Sequence, residues 1–265
     1  MIAPALRSVG RSTVSFLADT GATWRLAVMA LSRFLTGPFR PENLHFRATV
    51  EQCVRAGYSS LPLVALISFL MGMIMALQSA YQLNELGALD LVADLVAVAV
   101  TRELAPLLTA VIVAGRFGSA IAAELGTMKV SQEIDALVVM GIDPVSFLVV
   151  PRLVAVVVSL PCLTIFADLV GILGGYTVAV GALGIGSGTY VSNTVDALVL
   201  QDLFTGLAKA VVFATIIGLV GCQRGLQTEG GADEVGRSTT SSVVRSIVLV
   251  IAADLFVTAF SYIRG

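Results

Sequence analysis

Residues Leu61–Leu83 read LPLVALISFLMGMIMALQSAYQL, and no charged side chain interrupts them. The uncharged run extends on both sides, from Ala56 to Asn84. An α-helix rises about 1.5 Å per residue, and about 20 apolar residues cross the hydrocarbon core of a bilayer. This stretch is therefore a membrane span, and the rest of the chain agrees with it. The sequence is 57% hydrophobic and only 13% charged, with a mean hydropathy of +0.93. A soluble domain carries about a quarter of its residues as charges. One globular core cannot hide so much apolar surface, so the expected fold is an all-α integral membrane protein solvated in part by lipid.

Outward from that run, five spans are expected, at about 60–83, 95–121, 146–183, 203–222 and 243–262. The third exceeds one perpendicular crossing, so it is either one long tilted helix bent at Pro161 or two spans. Residues 1–55 form a separate region. Apolar or small residues recur there at Leu6, Val9, Thr13, Phe16, Thr20, Trp24, Ala27, Leu31 and Phe34, with Arg7 and Arg11 opposite. That spacing predicts an amphipathic helix in the membrane interface, a soluble-domain helix being the alternative. Gly37-Pro38 and Pro41 break the chain before the first span. Arginines scattered through this region leave no clean apolar core for a cleavable signal, and none is expected. Residues 56–265 are expected to form a single transmembrane domain.

Charge sets the orientation. Thirteen of the sixteen Lys and Arg residues fall on one side of a five-span arrangement. They are the seven arginines before the first span, Arg116, Lys129 and Arg152 beside the second and third, and Arg224, Arg237 and Arg245 between the fourth and fifth. The opposite loops, NELGALDLVAD and IGSGTYVSNTVDALVLQD, contain no basic residue. The positive-inside rule then places the N-terminus in the cytoplasm and the C-terminus across the membrane. Splitting the third segment would put the basic 224–245 region outside, so the charge count favours five spans.

The most hydrophilic stretch in the middle of the chain, ELGTMKVSQEIDAL at 124–137, falls on the cytoplasmic side. A helix over about 126–141 is expected, with Glu124 and Lys129 at its start. Glu133 and Asp135 provide polar anchors, while Ile134 and Leu137 form an apolar knob at helical spacing. Gly141 ends the helix and Asp143-Pro144 begins the next turn. Periodicity alone leaves two readings open, a docking helix for another protein and a plain solvated connection. Gly225–Ser242, rich in Gly, Ser and Thr, reads as a mobile linker.

Arg102, Glu103, Lys209, Asp254 and Asp168 fall within or at the edges of spans. Each costs about 2.5–3.5 kcal/mol at a helix centre, so they need partners or a polar cavity. Arg102, Glu103, Lys209 and Asp254 read either as a polar cluster beside a substrate cavity or as salt bridges between spans. Arg116 is explained by snorkelling to the nearer interface. Leu70, Met73, Met75 and Leu77 form a flexible apolar wall suited to acyl chains, core packing being the alternative. Gly115, Gly118, Ala122 and the Gly171/Gly175 pair permit close helix approach. Cys53, Cys162 and Cys222 are far apart in sequence, and His45 is the only histidine, so no metal site is expected. No G-x-x-x-x-G-K-[ST] occurs, and GIGSGTY at 184–190 lacks the lysine, so any nucleotide hydrolysis belongs to another chain. An intramembrane aspartyl protease lacks its Gly-x-Gly-Asp motif. A stand-alone secondary transporter or channel is the remaining rival, although no inverted repeat is visible.

The block ELAPLLTAVIVAGRFGSAIAAELGTMKVSQEIDALVVMGIDPVSFLVVPRL resembles the signature region of the MlaE/YrbE permeases. The resemblance continues through LAKAVVFA at 207–214 to the last span with Asp254. It implies the permease subunit of an ABC transporter that moves lipids, phospholipids above all, between a bacterial inner membrane and an MCE-domain partner in outer-membrane lipid homeostasis. It implies a permease homodimer, an ABC ATPase dimer that alone holds ATP and Mg, a hexameric periplasmic MCE protein and a small cytoplasmic accessory subunit. It also implies that the 126–141 helix couples the permease to the ATPase, and that this chain binds no cofactor and is not itself catalytic.

Overall fold

The computed structural model describes residues 21, 23, 25–30, 32, 33 and 46–264. Residues 1–20 and 34–45, on which most of the expected interfacial helix falls, lie outside the described residues. The described positions between 21 and 33 are helical, and Leu26 and Ala30 are buried against the main bundle.

Five helices are long and apolar enough to cross a membrane, and no strand occurs among the described residues. They are α1 (Phe46–Glu85), α2 (Leu89–Val130), α4 (Val145–Gly181), α6 (Leu200–Leu226) and α7 (Ala232–Arg264). Two short helices lie between them, α3 (Glu133–Val139) and α5 (Ser187–Ala197). Short connections make successive spans antiparallel. The α1 start, the α2–α4 connection and the α6–α7 connection thus share one end, the basic end. The α1–α2 and α4–α6 connections share the other, acidic end.

α4 runs through Pro161 as one helix of 37 residues including its first turn, which settles the third segment as a single span. α2 and α6 form the centre of the bundle. α1 packs most extensively on α4 at one flank, and α7 on α2 and α6 at the other. The flanking spans are the least covered, with 28% of the α1 and 11% of the α7 apolar window buried. At the acidic end, α5 is pinned by Tyr190. Its ring meets Tyr176 edge-on at 5.6 Å, and its hydroxyl donates to Ile172 O at 3.3 Å. Burial pushes this phenol up to about 12, so it remains a donor at any physiological pH.

Two prolines shape the spans. A proline offers no N–H and its ring collides with the carbonyl four residues back. Pro106 and Pro151 each follow a π turn, Val100–Leu104 and Val145–Val149. There the residue before the proline bonds one position further back, Ala105 N to Val100 O and Val150 N to Val145 O. The wider turn makes room for the ring while the helix continues.

Three expectations about extent are corrected. The helix that carries the second span runs from Leu89 to Val130, beyond the expected 95–121, because the polar 124–130 segment simply continues it. The helix expected over 126–141 is therefore only Glu133–Val139, set off by Gln132, whose φ of 62° reverses the chain. The linker expected at 225–242 is also helical from Ala232 onward. Its small polar residues bond to their own helix or its neighbour: Thr239 Oγ1 donates to Val235 O at 2.7 Å, and Thr228 Oγ1 lies 3.0 Å from Ser238 Oγ. Ser242 and Ser246 are fully buried. Small size here serves close packing inside a membrane helix, not chain flexibility.

Glycines set the tightest contacts, but not all the expected ones. Gly171, Gly175 and Gly118 face neighbouring side chains closely, whereas Gly115 faces open space. The closest approaches are Gly72 on Gly171 and Gly174 on Phe69, where α1 and α4 nearly touch backbone to backbone. Overpacking a tight contact costs about 1–3 kcal/mol. Gly72→Ala should therefore lower the thermal midpoint of the detergent-solubilised protein by several degrees, about 5 °C or more, while Gly115→Ala leaves it unchanged.

Candidate functional site

Within the bilayer region the structure joins α2, α6 and α7 through one ammonium group. Lys209 on α6 is fully buried. It pairs with Glu103 of the first π turn, and its Nζ donates to Thr258 Oγ1 at 2.7 Å. Asp254 Oδ1 lies 2.9 Å away, an ion pair without hydrogen-bond alignment. Thr258 in turn reaches Glu103 Oε1 at 3.2 Å. A buried ion that lost its partners would be strongly destabilising, and here three oxygens from two other helices enclose it. Of the four expected members, the structure brings Glu103, Lys209 and Asp254 together. Arg102 is diverted to Asp202, near the start of α6, at 3.4 Å. Asp168 lies buried on α4, and its Oδ1 has no hydrogen-bond partner. Thr258 was not legible as a member, since a threonine in an apolar helix carries no signal until its neighbours are known.

The cluster opens onto a cavity of about 480 Å³ lined by Glu103 of α2 and by Val248, Ile251, Ala252, Asp254, Leu255 and Thr258 of α7. Its lining mixes carboxylates with aliphatic side chains. That combination suits an amphiphile better than a small polar solute.

At the basic end a second cluster ties the spans together. Glu124, expected to contact a partner, instead bridges two arginines. Arg55 Nη1 of α1 lies 2.6 Å from its Oε1, and Arg152 Nη2 of α4 lies 3.2 Å from its Oε2. Arg152 also donates to Leu148 O at 2.9 Å. The short α3 stands beside this bridge. Lys129 at the end of α2 pairs with Asp135 at 2.9 Å, and Ser131 Oγ donates to Glu133 Oε1 at 2.9 Å. The helix closes on Gly141 at φ 76°. Gly141 N reaches Val138 O at 3.0 Å and Ile142 N reaches Leu137 O at 2.9 Å, the paired bonds of a Schellman end.

The apolar side of α3 faces inward. Ile134 and Leu137, expected as a knob for a partner, are 6% and 9% exposed and join the core cluster that also holds Leu26, Ala30 and Leu148. The surface α3 presents is its neighbouring face, Val138, Val139 and Met140, at 58%, 86% and 65% exposure. The helical spacing identified the buried stripe; only the packing shows which stripe is left outside.

The expected α1 wall divides as well. Leu70 and Leu77 are exposed on one stripe with Leu66, Ile74 and Tyr81, whereas Met73 packs inward on the α1–α2 core. Leu77 and Tyr81 border a cavity of about 500 Å³ at the acidic end. Among the described residues no group of His, Cys, Asp and Glu is arranged to hold a metal, and the cysteines are free thiols.

Comparison with known proteins accounts for this architecture. The family described as Permease MlaE matches residues 49–260. A probable ABC transporter permease protein of Rickettsia typhi is 38% identical over 250 residues, covering 94% of this chain and 95% of the relative. A probable ABC transporter permease protein of Synechocystis is 36% identical over 91% of this chain and 94% of the relative. The chloroplastic protein TRIGALACTOSYLDIACYLGLYCEROL 1 of Arabidopsis thaliana is 38% identical over 83% of this chain and 63% of its own length. With five spans, two ion clusters that lock them and a family match across nearly all of them, the chain belongs to the MlaE permease family, as the multi-pass membrane subunit of an ABC transporter.

Proposed function

We propose that this permease moves lipids, phospholipids above all, using work delivered by a separate ATPase at its basic end. The observation that carries this reading is the cavity beside Lys209, which carboxylates, a threonine and branched aliphatic side chains line together. A lipid likewise joins a polar part to an aliphatic one. The name of the chloroplast relative, which contains a galactolipid, supports the same cargo class.

In this reading the basic end is cytoplasmic, in the bacterial inner membrane, as the distribution of arginine and lysine requires. α3 is the coupling helix. Its exposed Val138, Val139 and Met140 seat in a groove of the ATPase, while buried Ile134 and Leu137 carry displacement to the bundle. Lys129 with Asp135, and Glu133 with Ser131, keep α3 fixed at the foot of α2. Gly141 gives it an abrupt end. ATP and Mg remain on the ATPase dimer, and this chain is not catalytic. Two permease copies frame the lipid path between their sparsely covered α1 and α7 flanks, with Leu70 and Leu77 on its wall. A hexameric MCE-domain protein receives or delivers lipid on the periplasmic side, and a small cytoplasmic accessory subunit completes the assembly. A stand-alone secondary transporter would need no exposed apolar helix at the basic end.

Replacing exposed apolar anchors by carboxylates removes their burial and adds a desolvation cost, about 1–3 kcal/mol each. Val139→Asp with Met140→Asp should therefore reduce co-purification of the ATPase at least about tenfold, with membrane insertion unchanged. Undiminished co-purification and lipid-stimulated hydrolysis would overturn the assignment of α3. At the cluster, Thr258→Val keeps side-chain shape and removes a hydrogen bond worth about 1 kcal/mol. Complex yield should stay normal while lipid transfer between reconstituted vesicles falls about fivefold; unchanged transfer would reduce the cluster to scaffolding.

A further inference from the structure

The ion bridge at Glu124 is unbalanced. Arg55 and Arg152 share a single carboxylate, so among the described residues one guanidinium equivalent lacks a counter-charge. Arg152 is nine-tenths buried, and its Nε has no hydrogen-bond partner even though both terminal nitrogens are engaged. Beside it lies a cavity of about 490 Å³ lined by Ala123, Glu124, Thr127, Met128 and Arg152.

The same face of α2 leads deeper into the membrane. Arg116, Ala120, Ala123 and Thr127 recur at helical spacing, so they form one stripe. Arg116 is exposed and, among the described residues, its side chain has no ion pair or hydrogen bond. It stands in the π turn Ala114–Gly118, whose carbonyls are held by Ser119 Oγ, 2.6 Å from Gly115 O and 2.9 Å from Arg116 O. Snorkelling toward the basic end would work against the tilt of its Cα–Cβ bond. Cα–Cβ bonds tilt toward a helix N-terminus, and the N-terminus of α2 lies at the acidic end. The Cα–Cβ bond of Arg116 thus leans away from the nearer interface, at a position about 12 Å deeper than Glu124 at 1.5 Å per residue. A lone cation there requires an anion that comes and goes.

We infer that the small-residue face of α2 from Arg116 to Thr127, walled by Arg152 and Arg55, binds the phosphate headgroup of a phospholipid drawn from the leaflet at the basic end. The level is right, because Arg55 is the last charge before the uncharged run of α1 and Arg152 the last basic residue before that of α4. The chemistry is right, because guanidinium and phosphate pair bidentately. Ala123, Met128 and the Thr127 methyl offer apolar surface to a glycerol backbone. Arg116 is the next cation along the face, where the phosphate would be held one step further in. This site rests on the lipid-transport reading but is distinct from the cavity at Lys209, which lies on the other half of α2.

The test uses the full permease with its ATPase in nanodiscs of a neutral galactolipid doped with phosphatidylglycerol that carries a diazirine beside the headgroup. After photolysis, adducts should concentrate on the 120–128 segment and on the segment containing Arg152. Arg116→Gln, and Thr127→Glu at an exposed position, should each lower that labelling about fivefold or more, while a matching thermal midpoint shows that the fold is intact. Excess inorganic phosphate should leave the labelling in place. Displacement by phosphate would reveal a site for free anions and overturn the lipid assignment. Equal labelling by a diazirine galactolipid without phosphate, or unchanged labelling in both variants, would overturn the site. Loss of lipid transfer in the unmodified complex would instead sink the transport reading and leave the adduct map standing.

Discussion

A fully enclosed ammonium in a membrane-embedded bundle constrains everything packed around it. The Lys209 ammonium is itself buried, so α2 must present Glu103 and α7 must present Asp254 and Thr258 at one depth. That requirement fixes the relative height of three helices whose apolar surfaces alone would slide past one another, since lipid solvates them equally well. The cluster is also the place where α7, otherwise the least covered span, is held by directional bonds. One side of α7 packs on α2 and α6, and most of its remaining surface is free.

The prolines act on the same helices. Pro106 follows the π turn that carries Arg102 and Glu103, and Pro151 precedes Arg152. The wider turn needed to pass a proline ring shifts the helical register. Adjacent charged residues then serve separate partners: Glu103 turns to Lys209 and Arg102 to Asp202. Two of the three π turns among the described residues therefore sit beside ion pairs.

Span number, helix type and the membership of Glu103, Lys209 and Asp254 were legible in the sequence because hydrocarbon penalises lone charges and unpaired backbone so heavily that few arrangements survive. Packing direction was not legible. Ile134 and Leu137 have the spacing of an anchor, yet they point into the bundle, because the N-terminal segment around Leu26 and Ala30 covers the same side. Spacing defines a face without saying what lies opposite. Glu124 illustrates the same limit, since a carboxylate at the start of a polar helix reads as available to a partner until two arginines from distant spans are found on it. The 225–242 stretch was misread for a different reason: Gly, Ser and Thr signal flexibility in water, but between membrane helices they signal close approach.

The inward burial of α3 bears directly on how work would reach the spans. Were α3 attached only by its flanking turns, a push on its surface would be spent bending Gln132 and Gly141, the two residues with positive φ that bound it. Ile134 and Leu137 remove that freedom by seating α3 in the same apolar cluster as Leu148 and Val149 at the foot of α4 and Leu125 on α2. Lys129 with Asp135 adds a polar strut on the side where the cluster ends. Arg33 on Asp143 at 3.2 Å extends the seat to the N-terminal segment. A displacement of α3 is therefore passed to α2 and α4 at their basic ends, which Glu124 already joins to each other and to α1. In the proposed reading, stiffness at the base collects motion from one short helix, and the largely uncovered outer surface of α7 lets that motion appear beside the cavity at Lys209.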